Sequence, residues 1–462
     1  MVWSHFLCKF GEINFKFNDL ASKWNLRAEE QRFYKVFIMK YGMVVYGSNG
    51  DIEPMVSLAI ELAGRSNQIE MFIISIHDRD YHFLNNYPNI KIYQKKYTAA
   101  TRNLPDEDLE FWNQDLNNQF VLMDRWFKST LDDIVEYSEL LCRNNDVIIS
   151  VQHLLETSCI AEKHKIPFVS LRALPAHVRS HKIAPYWLSF FNVQDMDYEQ
   201  QWNLLESHEN KSYKRYINRF RKAHNLTPIT NVMRDVINSS WLNLISYSQY
   251  LHQKQDDWEE VFHLCGHFKA PTYLDWQASQ ELQAFWQDEK PVFMSIFSML
   301  EYENNKKQIQ EILIETAKSL NRKVIIHSNW GEDELMSPSI YQLSGIISFP
   351  EVLAHCCLAV HHGGVGISHI ATEFNCPSVI IKYGCDHPYN ADALIAAGAC
   401  MHSIYRKDLT AERLRQMILE TLNNDALKNA TGILSTKIQQ ENGVRKAADL
   451  LDKTFNTGIH KK

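Results

Sequence analysis

The sequence predicts an α/β protein of two domains whose parallel sheets face each other across a cleft. Three observations predict it. At 462 residues the chain exceeds what one ordinary hydrophobic core serves, so two domains are expected. Short apolar runs alternate with helical patterns in both halves, as in buried parallel strands joined by crossover helices. Each half also carries a glycine-rich turn between a strand pattern and a helix pattern. The first reads Gly47-Ser48-Asn49-Gly50-Asp51-Ile52-Glu53-Pro54 and the second His361-His362-Gly363-Gly364-Val365-Gly366. A strand–glycine turn–helix unit aims backbone N–H groups at its ligand, usually an anion.

Taken in order, residues 1–35 are polar and aromatic without a clear period and read as an extension. Residues 36–268 form the first domain. Its strands are expected at 36–46, 71–76, 147–151 and 167–171. Ile52, Met55, Leu58, Ala59, Leu62 and Ala63 recur at helical spacing after the first strand, and a further helix lies around 156–164. Residues 175–250 are less regular and aromatic, and suit an acceptor-binding region. Residues 269–289, with Pro271 and few strand signals, read as the interdomain linker. The second domain, 290–445, has strands expected at 291–297, 323–327, 345–348, 358–361 and 378–382, with helices such as 307–320 and 352–357. Amphipathic helical stretches at 411–423 and 425–455 follow, and residues 446–462 form a C-terminal helix and tail.

Composition narrows the function. A net charge of −7 gives no electrostatic case for nucleic acid. The nine cysteines show no CxxC spacing, which favours free thiols in a reducing compartment. No apolar run reaches membrane-spanning length, and the N-terminus lacks a signal peptide's pattern. A cytoplasmic location is therefore expected, with peripheral membrane contact left open. The 11 Trp and 20 Tyr suit core, rim or a flat or sugar ligand.

The two turns offer complementary chemistry. Asp51 stands where a strand gives way to a helix. It reads either as a helix cap or as a general base that takes a proton from an attacking hydroxyl. In the second turn, glycines let a phosphate approach the backbone, the helix end supplies partial positive charge, and His362 can donate a hydrogen bond. The alternative there is a tight turn with a buried histidine. Tyr383-Gly384-Cys385-Asp386-His387-Pro388 ends another strand, where open α/β sheets bind ligands. Asp386 there is a hydrogen-bond acceptor for sugar hydroxyls or an ordinary loop cap.

At these residues the chain resembles the family 1 glycosyltransferases of the GT-B fold, which has two Rossmann-like domains. The resemblance is to the branch holding sterol glucosyltransferases and the glycosyltransferases of glycopeptide antibiotics. The first turn is similar to that branch's Gly-Ser-Arg-Gly-Asp-x-x-Pro signature. Phe349-Pro350-Glu351, the His361–Gly366 turn, Cys376-Pro377 and Asp386-His387-Pro388 resemble its nucleotide-sugar signature. Fainter echoes are Asn218-Arg219-Phe220-Arg221, Asp257-Trp258, Gly266-His267-Phe268, the 291–299 strand and Ser328-Asn329-Trp330. In order they cover residues 40–450.

The resemblance implies an inverting transfer of a hexose from a nucleotide sugar, usually UDP-linked, to a hydroxyl of a lipid-like or polycyclic acceptor. It implies Asp51 as base. His362, Gly363, Gly364, Gly366, Ser368 and Ser298 would hold the donor diphosphate, Asp386 and His387 the donor sugar. Phe349 and Trp330 would flank the nucleotide. No metal or cofactor is expected. The chain departs from the pattern at four positions. Ile367 stands where the family has Thr or Ser, with Ser368 as the substitute hydroxyl. Phe297 replaces a Gly, His387 a Gln and Asn49 an Arg. Ile367 and Phe297 motivate a second reading, a non-catalytic GT-B protein that binds a nucleotide or a partner. Asp78-Arg79-Asp80 motivates a third, a metal-dependent DxD transferase. Asp195-Met196-Asp197 reads as a solvated loop. His355-Cys356-Cys357 with His361-His362 reads as core rather than a zinc cluster. The histidine pair is foreign to a dinucleotide fingerprint.

Overall fold

A computed structural model describes residues 38–76, 79–97, 130–186, 193, 195–269, 276–296, 306–328, 330–384 and 386–456. Phe297, Ser298, Asp78 and Asn329 lie outside them, as does the extension at 1–35.

Among the described residues there are two seven-stranded sheets within one compact unit. The first contains β1 (Lys40–Gly47), β2 (Gln68–Ser75), β3 (Ile90–Lys96), β4 (Val147–Val151), β5 (Phe168–Arg172), β6 (Leu242–Ile245) and β7 (Phe262–Leu264), in the order β3-β2-β1-β4-β5-β6-β7. Every pairing in it is parallel. The second contains β8 (Val292–Ser295), β9 (Val324–Ser328), β10 (Glu334–Ser337), β11 (Ile340–Ser344), β12 (Leu358–His361), β13 (Ser378–Lys382) and β14 (Cys400–Tyr405), in the order β10-β11-β9-β8-β12-β13-β14. It is parallel except for the β10–β11 hairpin. Central strands such as β4 and β5 are buried throughout, which is why they read as unbroken apolar runs rather than alternating ones. Among the parallel strands each order reverses once, between β1 and β4 and between β8 and β12. Ligands of open α/β sheets bind at the strand ends of such a reversal. The two glycine turns lie there, leading into α1 (Asn49–Gly64) and a later helix, Val365–Glu373.

Several expected elements are corrected. Residues 345–348 are a turn. Gly345 is left-handed at φ +72°, which ends the preceding strand at Ser344, and Ile346 is 47% exposed. The 425–455 stretch is two helices, Asp425–Gln440 and Gly443–Phe455, because Asn442 caps the second through a bond from the Arg445 N–H. The expected linker contains a helix, Gln280–Trp286, whose Leu282, Phe285 and Trp286 pack into the core of the second sheet with Phe293 and Tyr341. The 175–250 region is more regular than expected, with helices at Tyr198–Glu209 and Arg215–Ala223 and the strand β6.

The last helix crosses back onto the first half. Arg65, near the end of α1, pairs with Asp449 and Asp452 at 2.7 Å each, and Lys446 donates to the Leu264 carbonyl at 2.7 Å. The crossing is tight where Gly443 meets Gly266. A Cβ on Gly443 would stand 2.3 Å from the Gly266 carbonyl oxygen. An apolar cluster also spans both halves. Leu174, Ile245, Tyr247 and Leu251 from the first pack with Ile380, Leu394, Leu434 and Ile438 from the second. Burial of such side chains favours the docked arrangement by about 1.5–3 kcal/mol each.

Candidate active site

The first wall is built on the turn after β1. Gly47 has φ +144°, and a Cβ there would lie 2.3 Å from an Asp51 oxygen, so only glycine fits. Ser48, not Asp51, is the N-cap. Asp51 occupies the third helical position, where its Oδ2 accepts from the Ser48 N–H at 2.9 Å and the Ser48 hydroxyl at 3.0 Å. This is the reciprocal half of a capping box, and it leaves the half-exposed carboxylate fixed in orientation. Behind it Glu53 pairs with Arg79. Burial raises the Glu53 carboxyl above its ordinary range, and Arg79 opposes that. Arg79 lies over the Tyr81 ring at 5.3 Å, and Tyr81 donates to Asn49 Oδ1 at 3.2 Å. Arg79 therefore serves the glycine turn from inside the Asp78-Arg79-Asp80 segment. Asp80 accepts from the His82 N–H at 2.7 Å. Asp197 caps its own helix, accepting from the Gln200 N–H at 2.8 Å.

Sequence reasoning passed over His153, which follows β4 on the other side of the reversal from Asp51. Its Nε2 is 3.2 Å from the Tyr46 carbonyl, an acceptor only, so Nε2 carries the proton and Nδ1 is left as an acceptor. The ring is solvent-accessible but sits in the crevice among protein atoms. That crowding lowers its pKa, and the nearby Asp51 charge opposes the shift.

The second wall is the turn after β12. Gly363 has φ +91°, and a Cβ there would meet Ile380 at 2.8 Å. Its N–H donates to His361 Nδ1 at 3.1 Å, and His361 Nε2 bonds the Ser378 hydroxyl at 2.9 Å. His361 is thus a satisfied core histidine. His362 is half-exposed, with its ring edge-on to His387 at 5.0 Å. Crowding holds it well below its ordinary pKa, and His387 adds to this. Gly364 is the N-cap of the Val365–Glu373 helix. The amides of Gly366 and Ile367 follow in its first turn, where no intrahelical carbonyl is available to them. A Cβ on Gly366 would meet nothing within 4 Å.

Two expectations about this helix change. Ser368 is 0% exposed, so its hydroxyl lies behind the turn and does not present itself to the crevice. Ile367 packs into the core with Phe293, Leu353 and Ala371. Successive helical residues rotate by about 100°, and this helix's phase turns both side chains inward.

Asp386 and His387 open the helix His387–Ala396. Asp386 Oδ2 accepts from the Val365 N–H at 3.1 Å and from Asn390 Nδ2 at 3.0 Å. Its side chain is 25% exposed. Burial, and after it the charge of Asp51, push its carboxyl up to about 6. Asp51 belongs to the first half and Asp386 to the second, and the two carboxylates lie within electrostatic reach of one another. His387 Nδ1 accepts from the Tyr383 N–H at 3.1 Å, which leaves Nε2–H as the donor, 3.8 Å from Asp386 Oδ1. Burial lowers His387 to about 3, so it is neutral.

Phe349 starts its helix edge-on to Phe293 and His327, at 6.0 and 5.5 Å. His327 donates from Nε2 to the Gly345 carbonyl and accepts at Nδ1 from Ser295, both at 2.9 Å. Trp330 is half-buried against the core of the second sheet. His355 stacks on Trp286 at 4.4 Å, and Cys356 bonds the Val352 carbonyl. Among the described residues no group of three or more His, Cys, Asp and Glu could hold a metal ion.

The comparisons agree with this architecture. Residues 311–445 match the family model "Erythromycin biosynthesis protein CIII-like, C-terminal domain". Over 421 residues the chain is 22% identical to the sterol 3-beta-glucosyltransferase UGT80A2 of Arabidopsis thaliana, covering 88% of this chain and 64% of that one. The chain spans less still, 33% and 42%, of the next two sterol glucosyltransferases it matches. The crystal structure of the kitacinnamycin glycosyltransferase superposes with TM-score 0.67 at 17% identity, covering 90% of this chain and 99% of that one. Arabidopsis thaliana UGT89C1, complexed with UDP-L-rhamnose, superposes with TM-score 0.60 at 13% identity, over 90% and 98%. The fold is that of the GT-B glycosyltransferases, and these matches support a family 1 glycosyltransferase. In this GT-B chain the residues sequence reasoning missed are His153, Arg79, Asn390 and His369. The last two had a local signal, since each stands four residues after a position it bonds, Asp386 and Val365, on one helix face.

Proposed function

We propose that the chain transfers a hexose from a UDP-linked sugar to a hydroxyl of a lipid-like or polycyclic acceptor, by one displacement with inversion. The observation that carries this reading is that Asp51 and Asp386, each beside a glycine turn at its sheet's order reversal, lie within electrostatic reach of one another. In this reading the donor diphosphate lies on the turn His362–Gly366, held by the Gly363, Gly364 and Gly366 backbone and by His362. Ser298, which follows β8 in the sequence, is assigned to the diphosphate by the family resemblance. Asp386 and His387 Nε2–H hold the sugar hydroxyls, and Phe349 and Trp330 flank the nucleotide. Asp51 takes the proton as the acceptor oxygen attacks the face of the sugar opposite the departing diphosphate. Fixed backbone dipoles stabilise the charge that grows on the leaving group. The sterol glucosyltransferases among the relatives support a polycyclic acceptor. The domain limits proposed are 36–268 for the acceptor half, 269–289 for the linker and 290–445 for the donor half, with 446–462 as the C-terminal helix and tail.

The test is UDP release from UDP-glucose with a sterol acceptor. Asp51→Asn retains an oxygen for both Ser48 bonds, so the fold persists while the base is lost. A fall of about 10²–10⁴-fold is expected; full activity would remove Asp51 from the role of base. The inward phase of Ile367 and Ser368 favours one second reading, a nucleotide-binding protein without turnover. UDP binding with no release across varied acceptors would support it.

A further inference from the structure

Two consecutive residues of the first half reach the donor turn of the second. The Tyr247 hydroxyl donates to Asn390 Oδ1 at 3.0 Å. Asn390 Nδ2 donates to the Gly363 carbonyl at 2.7 Å and to Asp386 Oδ2 at 3.0 Å. The Ser248 N–H donates to His369 Nε2 at 3.1 Å, and His369 Nδ1 donates to the Val365 carbonyl at 2.8 Å. Both threads have a forced polarity. Gly363 O, Val365 O and the Asp386 carboxylate only accept, so the Asn390 amide and the His369 tautomer can each point one way. Tyr247, Ser248, His369 and Asn390 are all 0% exposed, and an unpaired polar group there would cost the full loss of hydration. The His369 ring is further held between His267, stacked at 4.4 Å, and Tyr247, edge-on at 4.6 Å.

We propose that Tyr247 and Ser248 form a positioning latch. Acting through Asn390 and His369, they fix the Gly363–Val365 backbone and the Asp386 carboxylate in the arrangement that receives the donor, so donor affinity depends on contact from the acceptor half. This rests on the reading of that turn as the donor site. Tyr247 and Ser248 need not touch the donor. With the Tyr247 hydroxyl gone, the buried Asn390 carbonyl loses its donor, and the side chain keeps only the two bonds from its Nδ2. Its hold on Gly363 O and Asp386 then loosens.

The experiment is calorimetric titration of UDP into the wild type, Tyr247→Phe and Leu434→Ala, with the melting temperature of each. Leu434 lies in the apolar cluster shared by the halves but in neither thread. Tyr247→Phe is expected to weaken UDP binding about five- to tenfold, as for one lost buried hydrogen bond. Leu434→Ala is expected to lower the melting temperature and leave affinity within roughly twofold. His369→Gln disturbs the second thread and is expected to match Tyr247→Phe, which keeps the test open should Tyr247→Phe not fold. Wild-type affinity retained in both thread variants, or an equal loss in Leu434→Ala, overturns the latch alone. A wild type that binds no UDP overturns the donor reading, and the latch with it.

Discussion

Asp386 shows how burial, hydrogen bonding and a facing charge compete at one residue. Two N–H donors favour its ionised form, while burial and Asp51 oppose it and prevail, at about 6. Because the folded value lies above the ordinary carboxylate value, the unfolded chain releases this proton first. Stability is therefore lost as pH rises from about 4 through 6, and the cost is fully present above that. Asp386→Asn keeps an acceptor for the Val365 and Asn390 donors and removes the buried charge. It is expected to raise unfolding stability at pH 8 by about 1–3 kcal/mol, with the gain vanishing at pH 4. Urea titrations at the two pH values check this, and an equal effect at both would place Asp386 in a well-solvated setting. A residue that costs stability at neutral pH at a strand end is the pattern of a site kept for binding.

The crossing of the C-terminal helix is set by two glycines, not by the ion pairs of Arg65. Gly443→Ala would drive a methyl into the Gly266 carbonyl. It is expected to cost about 1–3 kcal/mol, measured by thermal or urea unfolding, and a neutral result would contradict the close approach. This crossing was not legible in the sequence, where Asn442-Gly443 sits inside a continuous amphipathic period. The strands β4, β12 and β13 were legible to the residue, because fully buried strands write themselves as apolar runs. The edge strands β3 and β14 were not, because one is lysine-rich and the other half-exposed, as edges often are. The glycine turns were legible because a positive φ demands glycine locally. The side-chain directions of Ile367 and Ser368 were not, since they follow from helix phase. The links of Asn390 and His369 to Tyr247 and Ser248, in the other half of the chain, were not legible either.

At the scale of the whole molecule, two similar sheets bring their order reversals to one crevice and are held there by a shared apolar cluster and two hydrogen-bonded threads. No helix among the described residues is long and apolar enough to cross a membrane. The first half contributes a carboxylate and an imidazole on either side of its reversal, and the second half contributes glycines, two imidazoles and a carboxylate. The juxtaposition of the walls gives these groups a common chemistry, which neither wall has alone. A crystal structure of the protein with UDP-glucose tests this most directly. The account predicts the diphosphate on the 362–366 turn, the hexose hydroxyls on Asp386 and His387, and Asp51 across the sugar from the leaving oxygen. A nucleotide bound elsewhere, or a hexose whose open face is turned away from Asp51, would contradict it.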